Sequence, residues 1–143
     1  MDIRDKIKEK LGSKITGWHE HSSRRVYLNV SRQDIFGVAE FLFKQAALRF
    51  STASATQIPS GFEIVYHFSH DASGTMYSVR VLLEGAEPPA VDSITPVCSA
   101  AEWIEREMWE MMGVNFKNHP NLKRLLLAED WPDGNYPLRK KED

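Results

Sequence analysis

Cys98 is the one cysteine in 143 residues. It excludes an internal disulfide. It also excludes an iron–sulfur cluster on four thiolates and a Cys-rich zinc site held by this chain alone. Glycine is sparse, at 8 residues, with no G-x-G spacing and no G-x-x-x-x-G-K. That removes the usual glycine-rich cradles for dinucleotides and phosphates. No apolar run approaches the ~18 residues needed to span a bilayer. The start, "MDIRDKIKEK", has no apolar signal segment. A formal charge of −2 gives no footprint for nucleic acid, which asks for a strongly basic face. These absences predict a cytosolic protein that reaches a membrane only through a partner and carries no redox cofactor or nucleotide itself.

What is present suffices for a folded domain. Apolar residues make up 42% of the chain, enough for a hydrophobic core at this length. Asp2 caps a short helix along which Ile3, Ile7 and Leu11 recur on one face. "KITGW" and "RRVYLNV" read as two strands joined through "HEHSS". A helix follows with Ile35, Val38, Ala39, Leu42, Phe43 and Ala46 on one side. "LRFSTASAT" reads as a polar strand near an edge. "FEIVYHF" and "MYSVRVLL" flank the turn "HDASG" and alternate cleanly, the strongest hairpin signal in the chain. The order helix, two strands, helix, three strands predicts an α+β fold, a sheet covered by helices, over a doubly wound one.

Two parts are expected: an α+β domain over 1–90, and a helix with a long irregular arm over 91–143. Ser99 and Glu102 stand as S-x-x-E, which predicts a capping box, and Gly113 predicts the helix end. The arm carries Pro120, Pro132 and Pro137 with Trp131, Tyr136 and five leucines, too apolar for a disordered tail.

The helix and arm hold the candidate chemistry: Glu102, Glu105, Glu107, Glu110 and His119. With Ile104 centred on the core face, Ala100, Ala101, Met108, Met111 and Met112 fall beside it. Glu102, Arg106 and Glu110 then form a solvated row of i,i+4 pairs. Trp103 and Trp109 lie off the core stripe. Glu105 and Glu107 border it and need partners, for which Arg124, Arg139, Lys123, Lys140 and His119 are candidates. Glu105 and Glu107 diverge by about 160° on the helix wheel, so one ion cannot take both. A fastening of the arm therefore outweighs a metal site or an acid–base pair. An independent enzyme using Glu107 and His119, and a free-standing binding module, remain the readings of other classes. His19 with His21, and His67 with His70, show no third ligand. No catalytic, cofactor-binding or metal residues are assigned.

One pattern in this segment is specific. Glu105-Arg106-Glu107, then Glu110, Met111-Met112, His119, Lys123 and Leu125-Leu126 resemble, at every fixed position, the signature of the thirty-kilodalton subunit of complex I, the C subunit of the bacterial enzymes. That family includes the corresponding subunits of F420H2 dehydrogenases and of membrane-bound, energy-converting [NiFe] hydrogenases. Trp131, Pro137, Leu138, Arg139 and Lys140 are similar to the family's C-terminal "W…PLRKD". Here Lys141-Glu142-Asp143 follow in place of Asp and an aromatic. The finish "DWPDGNYPLRK", with Tyr136 before Pro137, is closer to the hydrogenase branch. The resemblance implies a two-layer α-β-β-α-β-β-β fold with a mixed five-stranded sheet. It implies a structural subunit of the peripheral arm on the cytoplasmic face of the membrane, without a cofactor of its own. Partners would be a large catalytic subunit ([NiFe]-hydrogenase-like or quinone-site) and iron–sulfur subunits, which hold the [NiFe] and iron–sulfur clusters. Trp103, Glu105, Arg106, Glu107, Trp109, His119, Arg124, Trp131, Pro137, Leu138, Arg139 and Lys140 would serve as interface or arm-fastening residues.

Overall fold

Alternation decides the centre of the molecule. In the computed structural model, which describes residues 2–85 and 88–140, β4 (Gly61–His70) and β5 (Thr75–Glu84) form the expected antiparallel hairpin. Phe62 pairs with Leu83, Ile64 with Val81, Tyr66 with Val79 and Phe68 with Tyr77, and all eight side chains are buried. A slip of one residue would carry this whole set to the solvent face. The C-terminal positions 141–143 and positions 86–87 of the Pro-rich loop lie outside the described residues.

The remaining strands complete a five-stranded mixed sheet in the order β1-β2-β5-β4-β3. Here β1 is Ile15–Ser22, β2 is Arg25–Val30 and β3 is Arg49–Ile58. β2 runs parallel to β5 and every other neighbour is antiparallel. A parallel pair needs a long crossover, and α2 (Ile35–Glu40) begins it. That helix continues as a π-helical turn over Phe41–Gln45. The wider turn lets Phe41 and Leu42 bury together. β3 is the polar edge strand expected of "LRFSTASAT".

Helix α1 (Ile3–Leu11) is capped by Asp2, whose side chain accepts from the Arg4 N–H. One contiguous buried cluster runs from Ile7 through the inward residues of the sheet to Met108, Met112 and Phe116. It unites both parts of the sequence. The opposite sheet face has no helix on it among the described residues. It carries Tyr27, Asn29, His67 and the Glu63–Arg80 ion pair at 2.6 Å.

Two short strands have no counterpart in the sequence pattern. β6 (Ala90–Asp92) pairs in parallel with β7 (Asn115–Lys117). Three residues are too few to show a period, so nothing in the sequence marks them. The pair ties the loop before helix α3 (Glu102–Met112) to the start of the arm.

Candidate functional site

Helix α3 does not start as its sequence suggests. Ser99–Ala101 form a 3₁₀ turn, and neither Cys98 nor Ala101 offers a side-chain cap, so the Ser99/Glu102 capping box is not formed. Glu102 is engaged elsewhere. The other end follows the sequence: Gly113 adopts φ +77° and its N–H bonds the Trp109 carbonyl at 2.8 Å.

The helix has three working faces rather than a core stripe and a solvated back. The core face is Ala101, Glu105, Met108 and Met112, all buried. Its centre lies about 70° around the axis from Ile104 at 100° per residue. Ile104 and Met111 are only partly buried. This corrects the expected stripe, and the reason is Glu105. Burial penalises a carboxylate, which argues for a place at the border, yet this side chain is 0% exposed.

The burial is compensated. Glu105 accepts from Ser93 Oγ at 2.6 Å, Thr95 Oγ1 at 2.5 Å, the Ile94 N–H at 3.1 Å and Tyr66 Oη at 3.4 Å. Four donors from the loop and the sheet replace water around the charge. Burial pushes the Tyr66 phenol well above its usual range, and the neighbouring Glu105 charge adds to that. Ser93, Thr95 and Tyr66 are not among the residues that sequence reasoning points to. The alternating hydroxyls of Ser93 and Thr95 are the one signal that could have found them.

The second face is Glu102, Arg106, Trp109 and Glu110. The expectation of a solvated row is wrong here: Arg106 is 7% and Glu110 2% exposed. The arm covers them. Arg106 donates to the Lys123 carbonyl at 2.9 Å and the Arg124 carbonyl at 2.6 Å. Glu110 then accepts from the N–H groups of Leu125, Leu126 and Leu127 at 2.9, 2.7 and 3.4 Å. One helix thus reads five consecutive backbone groups, carbonyls with a cation and N–H groups with an anion. A helix wheel misses this because it treats charge as a mark of solvent. The i,i+4 partners of Arg106 were available, but the arm's backbone took their place.

The arm's own residues complete the fastening. His119 bonds the Glu102 carbonyl through Nε2 at 3.0 Å, and its Nδ1 accepts the Asn121 N–H at 3.0 Å. Both ring nitrogens are therefore occupied. Arg124 does not reach an α3 carboxylate. It folds the arm on itself, bonding the carbonyls of Ala128, Glu129 and Trp131 and the Asp133 carboxylate. Trp131 Nε1 donates to the Asn135 carbonyl at 2.7 Å. The Arg139 Nε donates to the Met112 carbonyl at 2.6 Å, and its guanidinium stacks over Phe62 and Tyr136. The Leu138 N–H meets the Met111 carbonyl at 3.0 Å. Two orphan carbonyls at the helix C-terminus are thus satisfied, one by a cation suited to the dipole. The Lys140 N–H reaches Gln57 Oε1 at 2.5 Å. Pro137 is exposed.

Glu107 lies on the third face, half-buried like Ile104 and Met111 and beside the exposed Trp103. Among the described residues, no hydrogen bond joins it to His119. No group of three or more His, Cys, Asp or Glu side chains converges on a metal-sized site among those residues either. His19 and His21 sit on one strand face with ring centroids 6.2 Å apart, beside Tyr27.

The comparisons with known proteins take in this segment and most of the sheet before it. The family model described as "Respiratory-chain NADH dehydrogenase, 30 Kd subunit" matches residues 28–143. The chain belongs to this family. Among its relatives, the NADH-quinone oxidoreductase C subunit of Citrifermentans bemidjiense is 32% identical over 139 residues, covering 94% of this chain and 84% of the relative. The C subunit of Cereibacter sphaeroides is 36% identical over 122 residues, covering 79% and 58%. A C/D subunit of Methylococcus capsulatus is 40% identical over 81 residues, 57% of this chain and 13% of that one. The fold of this family member is similar to a chain of the membrane-bound sulfane sulfur reductase, an archaeal respiratory membrane complex. The TM-score is 0.76 at 23% identity, covering 94% of this chain and 80% of that chain. A trypsin-resistant fragment of Nqo5 gives a TM-score of 0.69 at 19% identity, covering 85% and 100%. The chain is thus a thirty-kilodalton-type member of a complex I-like oxidoreductase family, and other subunits are its partners.

Proposed function

We propose that this chain is a cofactor-free bracing subunit in the peripheral arm of a membrane-bound redox complex, of the energy-converting [NiFe] hydrogenase type. The observation that carries this is the way the arm is held. Arg106 and Glu110 grip its backbone, so its apolar side chains are left for other surfaces: Leu126 is 62% and Leu138 63% exposed. Apolar side chains presented by a backbone that is itself held fast suit an interface.

Electron carriers belong to the partners in this reading. Cys98 is buried, with its thiol pushed up to about 11 by burial, and as the one cysteine in the sequence it supplies a single thiol where a cluster normally takes four. The partners are a large catalytic subunit and iron–sulfur subunits. The fused name C/D of one relative supports a neighbouring subunit in intimate contact. No helix among the described residues is long and apolar enough to cross a membrane. Membrane contact on the cytoplasmic face then runs through the complex.

The hydrogenase assignment rests on the C-terminal spacing with Tyr136. That ring packs close over Gly113 and under the Arg139 guanidinium. A second reading, the C subunit of an NADH-quinone oxidoreductase, is favoured by the names of the relatives. Catalysis by Glu107 with His119 gains no support, since both imidazole nitrogens of His119 are engaged with backbone groups.

Affinity purification from the native membrane fraction, with metal analysis and mass spectrometry, separates these readings. The expected result is co-purification with a nickel-bearing large subunit. A nickel-free complex that oxidises NADH would establish the second reading. Recovery of the chain alone, soluble and unassociated, would overturn both.

A further inference from the structure

The third face of α3 looks onto the edge strand β3 and the arm, with open space left between them. Trp103, Glu107 and Met111 stand four residues apart along it, with Ile104 alongside. Across from them runs the edge strand β3. Between the two lie adjoining cavities of about 350 and 190 Å³ that share Ile104 and Glu107. The first is also lined by Trp103 and Leu126, the second by Leu138. These last three are three of the four exposed large hydrophobic residues among those described, at 67, 62 and 63% exposure. The ties that hold the arm set this up. The Glu110 bonds place Leu126 at one cavity, and the Leu138 N–H bond to Met111 places Leu138 at the other.

In the middle sits a carboxylate. Glu102, Glu105 and Glu110 each accept at least one hydrogen bond. Among the described residues, no hydrogen bond or ion pair reaches Glu107, although it is half-buried among apolar side chains. A charge partly stripped of water in such a place calls for a cation.

We infer that this groove seats an arginine-bearing segment of a neighbouring subunit. Its guanidinium meets Glu107, and its apolar neighbours pack on Trp103, Leu126 and Leu138. Arginine suits the site better than lysine. It gives up water more readily, pairs with a carboxylate through two N–H groups, and stacks on an indole face. The chain uses the same chemistry internally, where Arg139 stacks on Phe62 and Tyr136. Trp103 beside the carboxylate, and an arginine opposite it, are residue types enriched at interface hot spots.

The inference rests on the subunit reading, and the experiment separates the two. The tagged full-length chain is expressed in its own host with Glu107→Gln or Glu107→Arg, and its retention in the complex is measured after a salt wash. Glu107→Gln is expected to lower retention about tenfold and Glu107→Arg further, as for loss of a partly buried interfacial charge pair. The melting temperature of each purified chain should stay unchanged, since Glu107 holds no internal bond. A photo-crosslinker in place of Trp103 should then mark an arginine-bearing peptide of another subunit. Converting that arginine to glutamate should restore the Glu107→Arg complex. Wild-type retention of both variants would overturn the inference while leaving the subunit reading intact. So would a crosslink to a second copy of this chain, or to a peptide without arginine. Failure of the unaltered chain to co-purify with any subunit would overturn the reading beneath it.

Discussion

Glu105 is the residue on which the loop, the helix and the sheet converge. Its carboxylate accepts from Ser93, Ile94, Thr95 and Tyr66 in a fully buried site. Glu105→Ala leaves those donors unpaired beside a cavity. We expect a loss of about 3–5 kcal/mol, because stripping one side of a buried charged network strands the other. Glu105→Gln keeps the shape and one acceptor oxygen but turns an amide NH₂ toward donors, costing about 1–3 kcal/mol. Urea denaturation of both variants checks the order, and a Gln variant as damaged as the Ala variant would contradict it. Its place on the helix is enough to say that Glu105 needs partners. It does not say that they are two hydroxyls and an N–H ten to twelve positions upstream, because hydroxyls carry no sign that they face a charge.

Elements differ in how far their sequence reveals them. β4 and β5 are legible because ten-residue strands with strict alternation leave only one register that buries the aromatics. Helix α3 is legible as a helix ended by Gly113, but not in its orientation. A wheel assumes that one face meets the core and the rest meets water. Here three surfaces compete: the core takes Ala101, Glu105, Met108 and Met112, the arm takes Arg106 and Glu110, and the groove takes Trp103 and Glu107. The grip on the arm is testable by itself. Glu110→Ala removes the acceptor for the N–H groups of Leu125–Leu127. Hydrogen exchange at those amides should accelerate by about tenfold or more, since a charge-assisted bond contributes about 1.5–3 kcal/mol. Exchange within β4 and β5 should stay unchanged. Equal acceleration in both would mean that the arm and sheet open together.

The whole molecule carries its own pH signature. Burial raises the Cys98 thiol to about 11 and raises the Tyr66 and Tyr77 phenols, so the folded chain keeps protons that the unfolded chain releases. Stability is then full below the unfolded values, roughly 8.5 for cysteine and 10 for tyrosine, and falls as pH rises past them. Burial lowers His67, so on the acid side the unfolded imidazole takes a proton first and stability falls below about pH 6.5. A melting-temperature series should show a plateau between these limits. In Cys98→Ala the alkaline decline should begin nearer pH 10, and an unmoved onset would refute the thiol's part. Composition, alternation and the spacing from Glu105 to Leu126 determined by themselves the order of the five long strands along the chain, the α+β class, the family resemblance and the poverty of redox ligands. All of these depend on residues close in sequence or on counts. Only the tertiary structure decided which carboxylate is buried, which one grips the arm and which lines the groove beside β3. Those three acids are chemically identical, and what separates them is whatever distant loop, arm or open groove the fold brings to each side of the helix.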